Sequence, residues 1–348
     1  MLLGVAALGL FAWAGWMASK PVEPSDPDQA DDAQVESATQ PHVVIMLIDT
    51  LRADRLGVYG YGLTTSPNID ALAGESVVFE QCSAPAPWTL PSVASLLTST
   101  FVCEHGLTVD KQKLAGGLIP LAERLKPLGY ATASFFANFY AGPLSGLDRG
   151  YDLAKSVRFA AGAEISPWLD TVPSRPFHLY LHNIEPHNPY NAGDRFVQPF
   201  GQVLADDKEL VKQAYLAYRR LTRADYAAKR RVGTTDNTSE QDAAMARLAS
   251  IKPTIDVLYD AAVRKADFRV GRIIDLLKRR NLWDNTVFIL TSDHGEELGD
   301  HGGWLHDQSV YEELLRVPLM VHFPGGRFAG RRLAESVSLI DVMPTILD

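Results

Sequence analysis

The 348-residue chain has only two cysteines, Cys82 and Cys103, and neither lies in a Cys-x-x-Cys spacing. This argues against a disulfide scaffold and against a cysteine-type metal site. Basic residues are also in the minority: 33 Lys and Arg against 42 Asp and Glu leave a net charge of −9, which gives no support for nucleic-acid binding. In an exported protein the two thiols could pair. The alternative is two buried free thiols.

Charged side chains are absent from residues 1–19, MLLGVAALGLFAWAGWMAS. This run is long enough to span a bilayer, and we expect an uncleaved membrane anchor. A cleaved signal peptide and a buried core helix are the alternatives. Residues 20–41 are rich in Pro, Asp and Ala and poor in large apolar residues, which predicts a disordered acidic linker. Together the two segments predict a membrane-anchored protein whose domain, residues 42–348, lies in the periplasm or outside the cell.

Apolar β-branched runs alternate with amphipathic segments after residue 42, which predicts an α/β fold. Three short runs are typical of strands buried on both faces of a parallel sheet. They are HVVIMLI (42–48), FHLYL (177–181) and TVFIL (286–290). Residues 266–280 have a helical stripe, and residues 118–138 predict a helix, a glycine turn and a strand. Residues 204–250 are polar and predict a helical insert over the sheet. The insert either contacts a substrate or partner, or is a solvated pair of surface helices.

Acidic and histidine side chains follow all three predicted strands. Asp49 follows the first, His187 comes shortly after the second, and Asp293 and His294 follow the third. In open α/β sheets, ligands bind at the carboxyl ends of the strands. Clustered buried carboxylates need a cation, because an unpaired buried charge is costly. Two Asp and one His with a hydroxyl suit zinc, manganese or calcium, although Asp49 alone is more typical of a turn.

The candidate hydroxyl belongs to Thr89, which stands directly before an apolar helical run with Pro91 in its first turn. The amino end of a helix attracts sulfate and phosphate oxyanions and favours an alkoxide. The alternative is that Thr89 only caps the helix.

These motifs, in this order, resemble the sulfatase family of the alkaline-phosphatase superfamily. The resemblance is carried by residues 43–99, by the His-x-Pro-Tyr at 187–190 and by residues 258–325. It implies a central, mostly parallel sheet flanked by helices, with the C-terminal subdomain truncated after SLIDVMPTILD.

The resemblance also assigns roles to particular residues. It implies that Asp49, Asp293 and His294 bind a metal and that Thr89 occupies the nucleophile position. It implies that His187 contacts the ester oxyanion and that His306 lies beside the leaving group. Asn138 is assigned to substrate binding. It lies in residues 136–139, where the family has Gly-Lys-Trp-His.

The chain departs from the sulfatase pattern at the nucleophile. The family usually has Cys or Ser in a Cys/Ser-x-Pro-x-Arg motif, and this chain has Thr89 with Val93 in place of the arginine. Threonine cannot be oxidised to formylglycine, so the departure argues against that mechanism. Thr50 replaces the second of the usual paired aspartates. Threonine nucleophiles resemble those of phosphodiesterases and of membrane phosphoethanolamine or phosphoglycerol transferases.

We therefore predict a metal-dependent hydrolase of sulfate or phosphate esters carried on a small molecule, a glycan or a lipid. One divalent ion (Ca, Zn or Mn) would be held by Asp49, Thr89, Asp293 and His294, with a second ion as an alternative. Thr89, His187 and His306 would be catalytic. The alternatives are a membrane-tethered phosphotransferase and a non-catalytic binding protein on the same fold.

Three further histidines have weaker assignments. His301, in Gly-Asp-His-Gly, either supports the site, binds a second metal or is structural. His105 is interpreted as structural. His182, inside a strand-like run, is interpreted as a hydrogen-bonded core histidine.

Overall fold

The computed structural model describes residues 40–109, 112–157, 162–172, 175–232 and 238–348. The expected anchor at 1–19 and nearly all of the expected linker at 20–41 lie outside these ranges, and both stay predictions. Within these ranges, no helix is both long enough and apolar enough to cross a membrane.

A mostly parallel sheet of eight strands forms the centre of the described domain. In spatial order the strands are β10 Arg332–Ser338, β2 Val77–Ser83, β9 Arg316–His322, β6 Thr286–Thr291, β1 His42–Ile48, β5 Phe177–Asn183, β3 Ala131–Phe136 and β4 Leu153–Ser156. Strand β9 runs antiparallel to both of its neighbours, β2 and β6. A separate hairpin pairs β7 Glu297–Leu298 with β8 Trp304–Leu305. The predicted α/β fold with a central, mostly parallel sheet is confirmed.

Helices flank this sheet. They are α1 Pro67–Gly74, α2 Thr89–Thr98, α3 Val102–His105, α4 Leu121–Leu125, α5 Gly162–Leu169, α6 Asp194–Val197, α7 Ala205–Val232, α8 Ser239–Ser250, α9 Lys252–Arg279, α10 Glu312–Leu315 and α11 Val342–Leu347. Helices α7 and α8 occupy the predicted helical insert. A role for them in substrate or partner binding stays a prediction.

Strand β1 lies at the centre of two hydrophobic cores because its side chains alternate between the faces of the sheet. Val44, Met46 and Ile48 pack on the side of α9. Val43, Ile45 and Leu47 pack on the side of α2. The parallel neighbours β5 and β6 lie on either side, with Leu47 opposite both His182 and Thr291. The carboxyl ends of these three strands therefore meet at one edge of the sheet.

The two cysteines do not pair. Cys82 is buried in β2, Cys103 is exposed, and both are free thiols. Of the two alternatives, the disulfide is wrong, and the pair of buried free thiols is right for Cys82 only. Burial raises the pKa of Cys82 to about 12, which makes it an inert core residue. His105 has the hydrogen bonds of a structural residue. The Leu107 amide donates to its Nδ1 at 3.0 Å, and its Nε2 lies 3.0 Å from Ser95 Oγ.

Asp267 connects α9 to the start of α1. Its buried carboxylate accepts hydrogen bonds from the backbone amides of Asn68 and Ile69, both at 2.8 Å. These amides belong to the first turn of α1 and have no partner within that helix. The contact fixes α1 against the long helix that supports one face of the sheet.

Replacing Asp267 with alanine should lower the free energy of unfolding by about 2–3 kcal/mol, because buried amides lose a charged acceptor. Urea unfolding followed by circular dichroism measures the change. Asp275→Ala, at an exposed position of the same helix, is the control and should change stability by less than about 0.5 kcal/mol. Equal losses in the two variants would contradict this role for Asp267.

Candidate active site

Two buried aspartates lie at the shared edge of the sheet. Asp49 follows β1 and Asp293 follows β6, and neither is exposed to solvent. The amide of His294 donates to Asp293 Oδ1 at 3.0 Å, and Asn138 Nδ2 donates to Asp49 Oδ2 at 3.1 Å. The other two oxygens, Asp49 Oδ1 and Asp293 Oδ2, make no hydrogen bond in the described structure. Each aspartate therefore keeps one buried oxygen available for a ligand.

The ring of His294 faces these two oxygens. Its Nε2 lies 3.6 Å from Asp49 Oδ1 and 3.5 Å from Asp293 Oδ2. Its Nδ1 lies 2.8 Å from the Gly295 carbonyl, which can only accept, so the proton is on Nδ1 and Nε2 carries a lone pair. Burial lowers the pKa of His294 to about 3, which keeps the ring neutral. A lone pair facing two carboxylate oxygens is unfavourable unless a cation lies between them.

The structure corrects the interpretation of His182. The parallel register places it opposite Leu47, on the same face of the sheet as Asp49. Its Nε2 lies 3.6 Å from Asp49 Oδ2, and neither ring nitrogen has a hydrogen-bond partner in the described structure. Ligand atoms of Asp49, His182 and Asp293 all lie within 4.8 Å of one another. His182 is therefore not a satisfied core histidine but a member of the buried cluster.

Thr89 brings its hydroxyl to the same cluster. It is the first residue of α2, after the N-cap residue Trp88, so Thr89 is not the cap. Its Oγ1 lies 3.4 Å from His294 Nε2 and accepts a hydrogen bond from Asn138 Nδ2 at 3.2 Å. Ser92 Oγ donates to the Asp293 carbonyl at 2.6 Å and holds the first turn of α2 against the end of β6.

His306 and His187 lie beside this group. The His306 ring is 4.6 Å from the His294 ring and 5.0 Å from the His187 ring, measured between centroids. His187 Nδ1 donates to the Asn188 carbonyl at 2.6 Å. The structure thus brings together all seven residues assigned from the sequence, namely Asp49, Thr89, Asn138, His187, Asp293, His294 and His306.

Glu296 is a site residue that the sequence analysis missed. Its Oε1 lies 2.9 Å from His306 Nδ1, and its Oε2 is buried without a partner in the described structure. Burial raises the pKa of Glu296 to about 7. A carboxylate in this position orients the imidazole and stabilises its protonated form. Glu297 is adjacent in the sequence, and no pattern distinguished the two.

Arg52 joins the loops that carry the cluster. Its guanidinium pairs with Asp54 at 2.7 Å and Asp300 at 2.6 Å, and donates to the Glu296 carbonyl at 3.1 Å. This connects the segment after β1 to the segment after β6. His301, by contrast, pairs with Glu313 and stacks on Tyr311, which favours its structural interpretation.

The donor set fits a divalent cation. Two carboxylate oxygens and two imidazoles face one buried space, and several of these atoms have no other partner in the described structure. Carboxylate and imidazole together are typical ligands of zinc and manganese. Calcium prefers oxygen ligands alone.

Comparisons with known proteins agree with this fold. The family model described as Sulfatase matches residues 41–348. An N-acetylglucosamine-6-O-sulfatase of Bacteroides thetaiotaomicron is 23% identical, covering 90% of this chain and 68% of the relative. Human N-acetylgalactosamine-6-sulfatase is 25% identical, covering 88% of this chain and 61% of the relative. The chain is thus shorter than either relative.

Solved structures show the same architecture. A phosphonate monoester hydrolase of Agrobacterium radiobacter superimposes with a TM-score of 0.64 at 19% identity, covering 88% of this chain and 73% of that one. A second structure, described as a complex with its substrate D-glucosamine-2-N,6-O-disulfate, also gives 0.64, at 21% identity, covering 89% of this chain and 76% of that one.

The family model and the sulfatase relatives make this chain an enzyme of the sulfuric ester hydrolase class. The chain belongs to the sulfatase family.

The buried aspartates predict a specific pH dependence of stability in the absence of metal. Burial raises the pKa of Asp293 from 3.8 to about 7. The folded protein therefore holds a proton that the unfolded chain releases between these values. The stabilisation that this proton gives to the folded state is fully present below about pH 4 and is lost as the pH rises through about 7.

With a chelator present, Asp293→Asn should therefore gain stability relative to the parent as the pH rises from about 5 to about 8. Thermal unfolding of the two proteins measures the difference. Titrating groups remote from Asp293 cancel, whereas Asp49, whose pKa is raised by burial and by the Asp293 charge, loses the second contribution in the variant and shifts the difference in the same direction. Saturating Mn²⁺ should make the parent more stable than Asp293→Asn, because the parent keeps the carboxylate that binds the ion. A difference that stays constant with pH would contradict the raised pKa.

Proposed function

We propose that the protein hydrolyses sulfate esters with the Thr89 hydroxyl as the nucleophile, in a site that holds one divalent cation. The observation that carries the proposal is the position of Thr89 Oγ1, 3.4 Å from His294 Nε2. Asn138 donates to both Thr89 Oγ1 and Asp49 Oδ2, so the hydroxyl and the carboxylate belong to one hydrogen-bonded group.

Asp49, Asp293, His294 and His182 would hold the cation, and Thr89 Oγ1 would complete its coordination. A bound cation would lower the pKa of the Thr89 hydroxyl and compensate the charge of the two carboxylates. The nitrogen donors favour zinc or manganese over calcium.

In the proposed reaction, the Thr89 hydroxyl loses its proton to solvent, and its oxygen attacks the sulfur of the ester. A bond forms between Thr89 Oγ1 and sulfur as the bond from sulfur to the leaving oxygen breaks in line. His306, oriented by Glu296, gives a proton to the leaving oxygen. The imidazolium form of His187 would donate from Nε2 to a non-bridging oxygen, because its Nδ1–H is already committed to the Asn188 carbonyl.

The second half of the reaction restores the enzyme. Neutral His306 accepts a proton from water as the water oxygen attacks sulfur. The bond between sulfur and Thr89 Oγ1 breaks, sulfate leaves, and the Thr89 oxygen regains a proton from solvent. Each proton lost in the first half is thereby recovered.

Phosphoryl transfer is the second candidate, and threonine at the nucleophile position favours it. Threonine cannot form the formylglycine group of sulfatases, whereas a threonine hydroxyl suits attack on phosphorus. With a second alcohol in place of water, the same site would act as a transferase. The uncharged residues 1–19 support a membrane-anchored enzyme, with access to lipid headgroups or to glycans outside the cytoplasm.

A panel of esters tests the proposed function. The full chain in detergent, with Mn²⁺ or Zn²⁺, is assayed with 4-nitrophenyl sulfate, 4-nitrophenyl phosphate and bis(4-nitrophenyl) phosphate, with and without glycerol as an acceptor alcohol. We expect hydrolysis of the sulfate ester. Preference for a phosphate ester with a glycerol adduct would support the transferase instead. Metal binding without turnover of any ester would support a binding protein.

Thr89→Ala should lower kcat/KM for the preferred ester by at least about a thousandfold, because the nucleophile is removed. Thr89→Ser should keep most of the activity, since it retains a hydroxyl. Steady-state kinetics measures both. Thr98→Ala, on the same helix with its hydroxyl bonded to the Ala94 carbonyl, is the control. Turnover by Thr89→Ala at the parental rate would exclude this nucleophile.

His182→Gln should weaken metal binding by at least about tenfold, because a buried ligand to the cation is lost. Isothermal titration calorimetry with Mn²⁺ and Zn²⁺ measures the affinity without reference to activity. His178→Gln is the control, because His178 is also buried in β5 but lies 3.2 Å from the Tyr151 hydroxyl. Parental affinity in His182→Gln would remove His182 from the ligand set.

A further inference from the structure

A cavity of about 270 Å³ lies between α5, α6 and α9, away from the catalytic cluster. Four of its eight lining residues are cationic and none is acidic. The lining residues are Gly162, Ala163, Arg195, Phe196, Lys265, Phe268, Arg269 and Arg272. Helix α2, which begins at Thr89, packs on one side of the sheet, whereas α9 packs on the opposite side. We call this cavity the basic cavity.

One face of α9 supplies most of the charge. Lys265, Arg269 and Arg272 are spaced four and three residues apart, so they lie along one side of the helix with Phe268 among them. Like charges at such spacings repel one another and destabilise an isolated helix. From α6, Arg195 adds a fourth cation, with its guanidinium 4.4 Å from the Phe196 ring centre and 4.9 Å from that of Phe268.

One carboxylate compensates only part of this charge. Glu185 pairs with Lys265 at 3.0 Å and with Arg269. No ion pair joins Arg195 or Arg272 to a carboxylate in the described ranges. The basic cavity thus keeps a local positive excess in a chain whose net charge is −9, and a bound anion would offset it.

The shape and chemistry favour an anion that is carried on a larger molecule. Arginine offers a planar fork of donors that matches sulfate and carboxylate oxygens. Phe268 is 41% exposed beside these cations and provides an apolar surface on which a sugar ring can pack. The combination is suited to a charged sugar rather than to an apolar ligand.

We propose that the basic cavity binds a sulfate or carboxylate group of a glycan, at a site separate from the catalytic cluster. The proposal rests on the proposed function for the choice of a glycan as the carrier. The basic cavity adjoins the segment that carries His187. Glu185, which pairs with Lys265 and Arg269, precedes His187 by two residues, and Lys265 Nζ donates to the Asn191 carbonyl at 2.7 Å. The cations of the basic cavity therefore hold both ends of the segment that carries His187.

The test measures binding of a heparin-derived tetrasaccharide by isothermal titration calorimetry. The full chain carries Thr89→Ala, so that the probe is not consumed. Arg195→Gln with Arg272→Gln removes two exposed cations from the basic cavity. The control is Arg327→Gln with Arg331→Gln, which removes two exposed arginines that lie 4.9 and 5.0 Å from the ring of Phe328, outside the cavity. Inorganic sulfate at matched ionic strength is a second probe.

We expect the cavity variant to lose at least tenfold in affinity for the tetrasaccharide, while the control stays within twofold. Unchanged affinity in the cavity variant, equal losses in both variants, or no binding by the parent would overturn the proposal. The proposal would also be overturned if the cavity variant lost binding of inorganic sulfate but kept binding of the tetrasaccharide. The basic cavity would then bind free sulfate rather than an anionic group carried on a glycan.

Hydrolysis of 4-nitrophenyl sulfate, measured without the Thr89 substitution, separates this proposal from the proposed function. Turnover by the cavity variant should equal that of the parent, because the small ester does not reach the basic cavity. Absence of turnover in the parent would contradict the proposed function, yet tetrasaccharide binding would still decide the proposal for the cavity.

Discussion

The site is dominated by one electrostatic constraint: two carboxylates are buried together, and no arginine or lysine among the described residues pairs with them. Asp49 and Asp293 have no exposure to solvent, and the imidazole that faces them, His294, is neutral. The nearby buried arginines are engaged elsewhere, with Arg52 paired to Asp54 and Asp300 and Arg55 to Asp256 and Asp260. Burying such charges unpaired would cost several kcal/mol each. A divalent cation is the simplest group that satisfies the carboxylates and the histidine lone pairs together.

The sheet explains why these groups meet. Parallel strands bring their carboxyl ends to one edge, and β1 lies between β5 and β6 in register. Residues that end three distant segments are thereby placed side by side. Helix α2 approaches the same edge and is tied to it by Ser92, which bonds the Asp293 carbonyl. Its first residue then presents a hydroxyl where the helix end carries a partial positive charge. The proposed nucleophile and the proposed cation ligands therefore depend on the same packing.

Much of this arrangement could be predicted from the sequence, because it depends on local pattern. The apolar runs became β1, β5 and β6 almost at their predicted bounds, and the residues that follow them are those of the site. The order of the strands and the antiparallel β9 were not predictable in this way, since pairing is a long-range property. The same applies to His182. Its sequence context is that of any core strand, and only the register with β1 shows that it faces Asp49.

Glu296 was missed for a related reason. It stands next to Glu297, and both are buried, but only the conformation of the loop after β6 directs one carboxylate to His306. The cysteines are a second case in which the sequence did not reveal the environment of a side chain. From the sequence, Cys82 and Cys103 could pair if the protein is exported. Their environments, a buried strand and an exposed helix, could be distinguished only once the fold was known.

The whole site depends on one cation held between Asp49 and Asp293 with the Thr89 oxygen beside it. Anomalous diffraction from crystals grown with Mn²⁺ can locate such an ion. We expect one strong peak within about 2.0–2.3 Å of an oxygen from each aspartate and of Thr89 Oγ1. A manganese peak elsewhere, or one with Thr89 outside the coordination sphere, would rule out this arrangement.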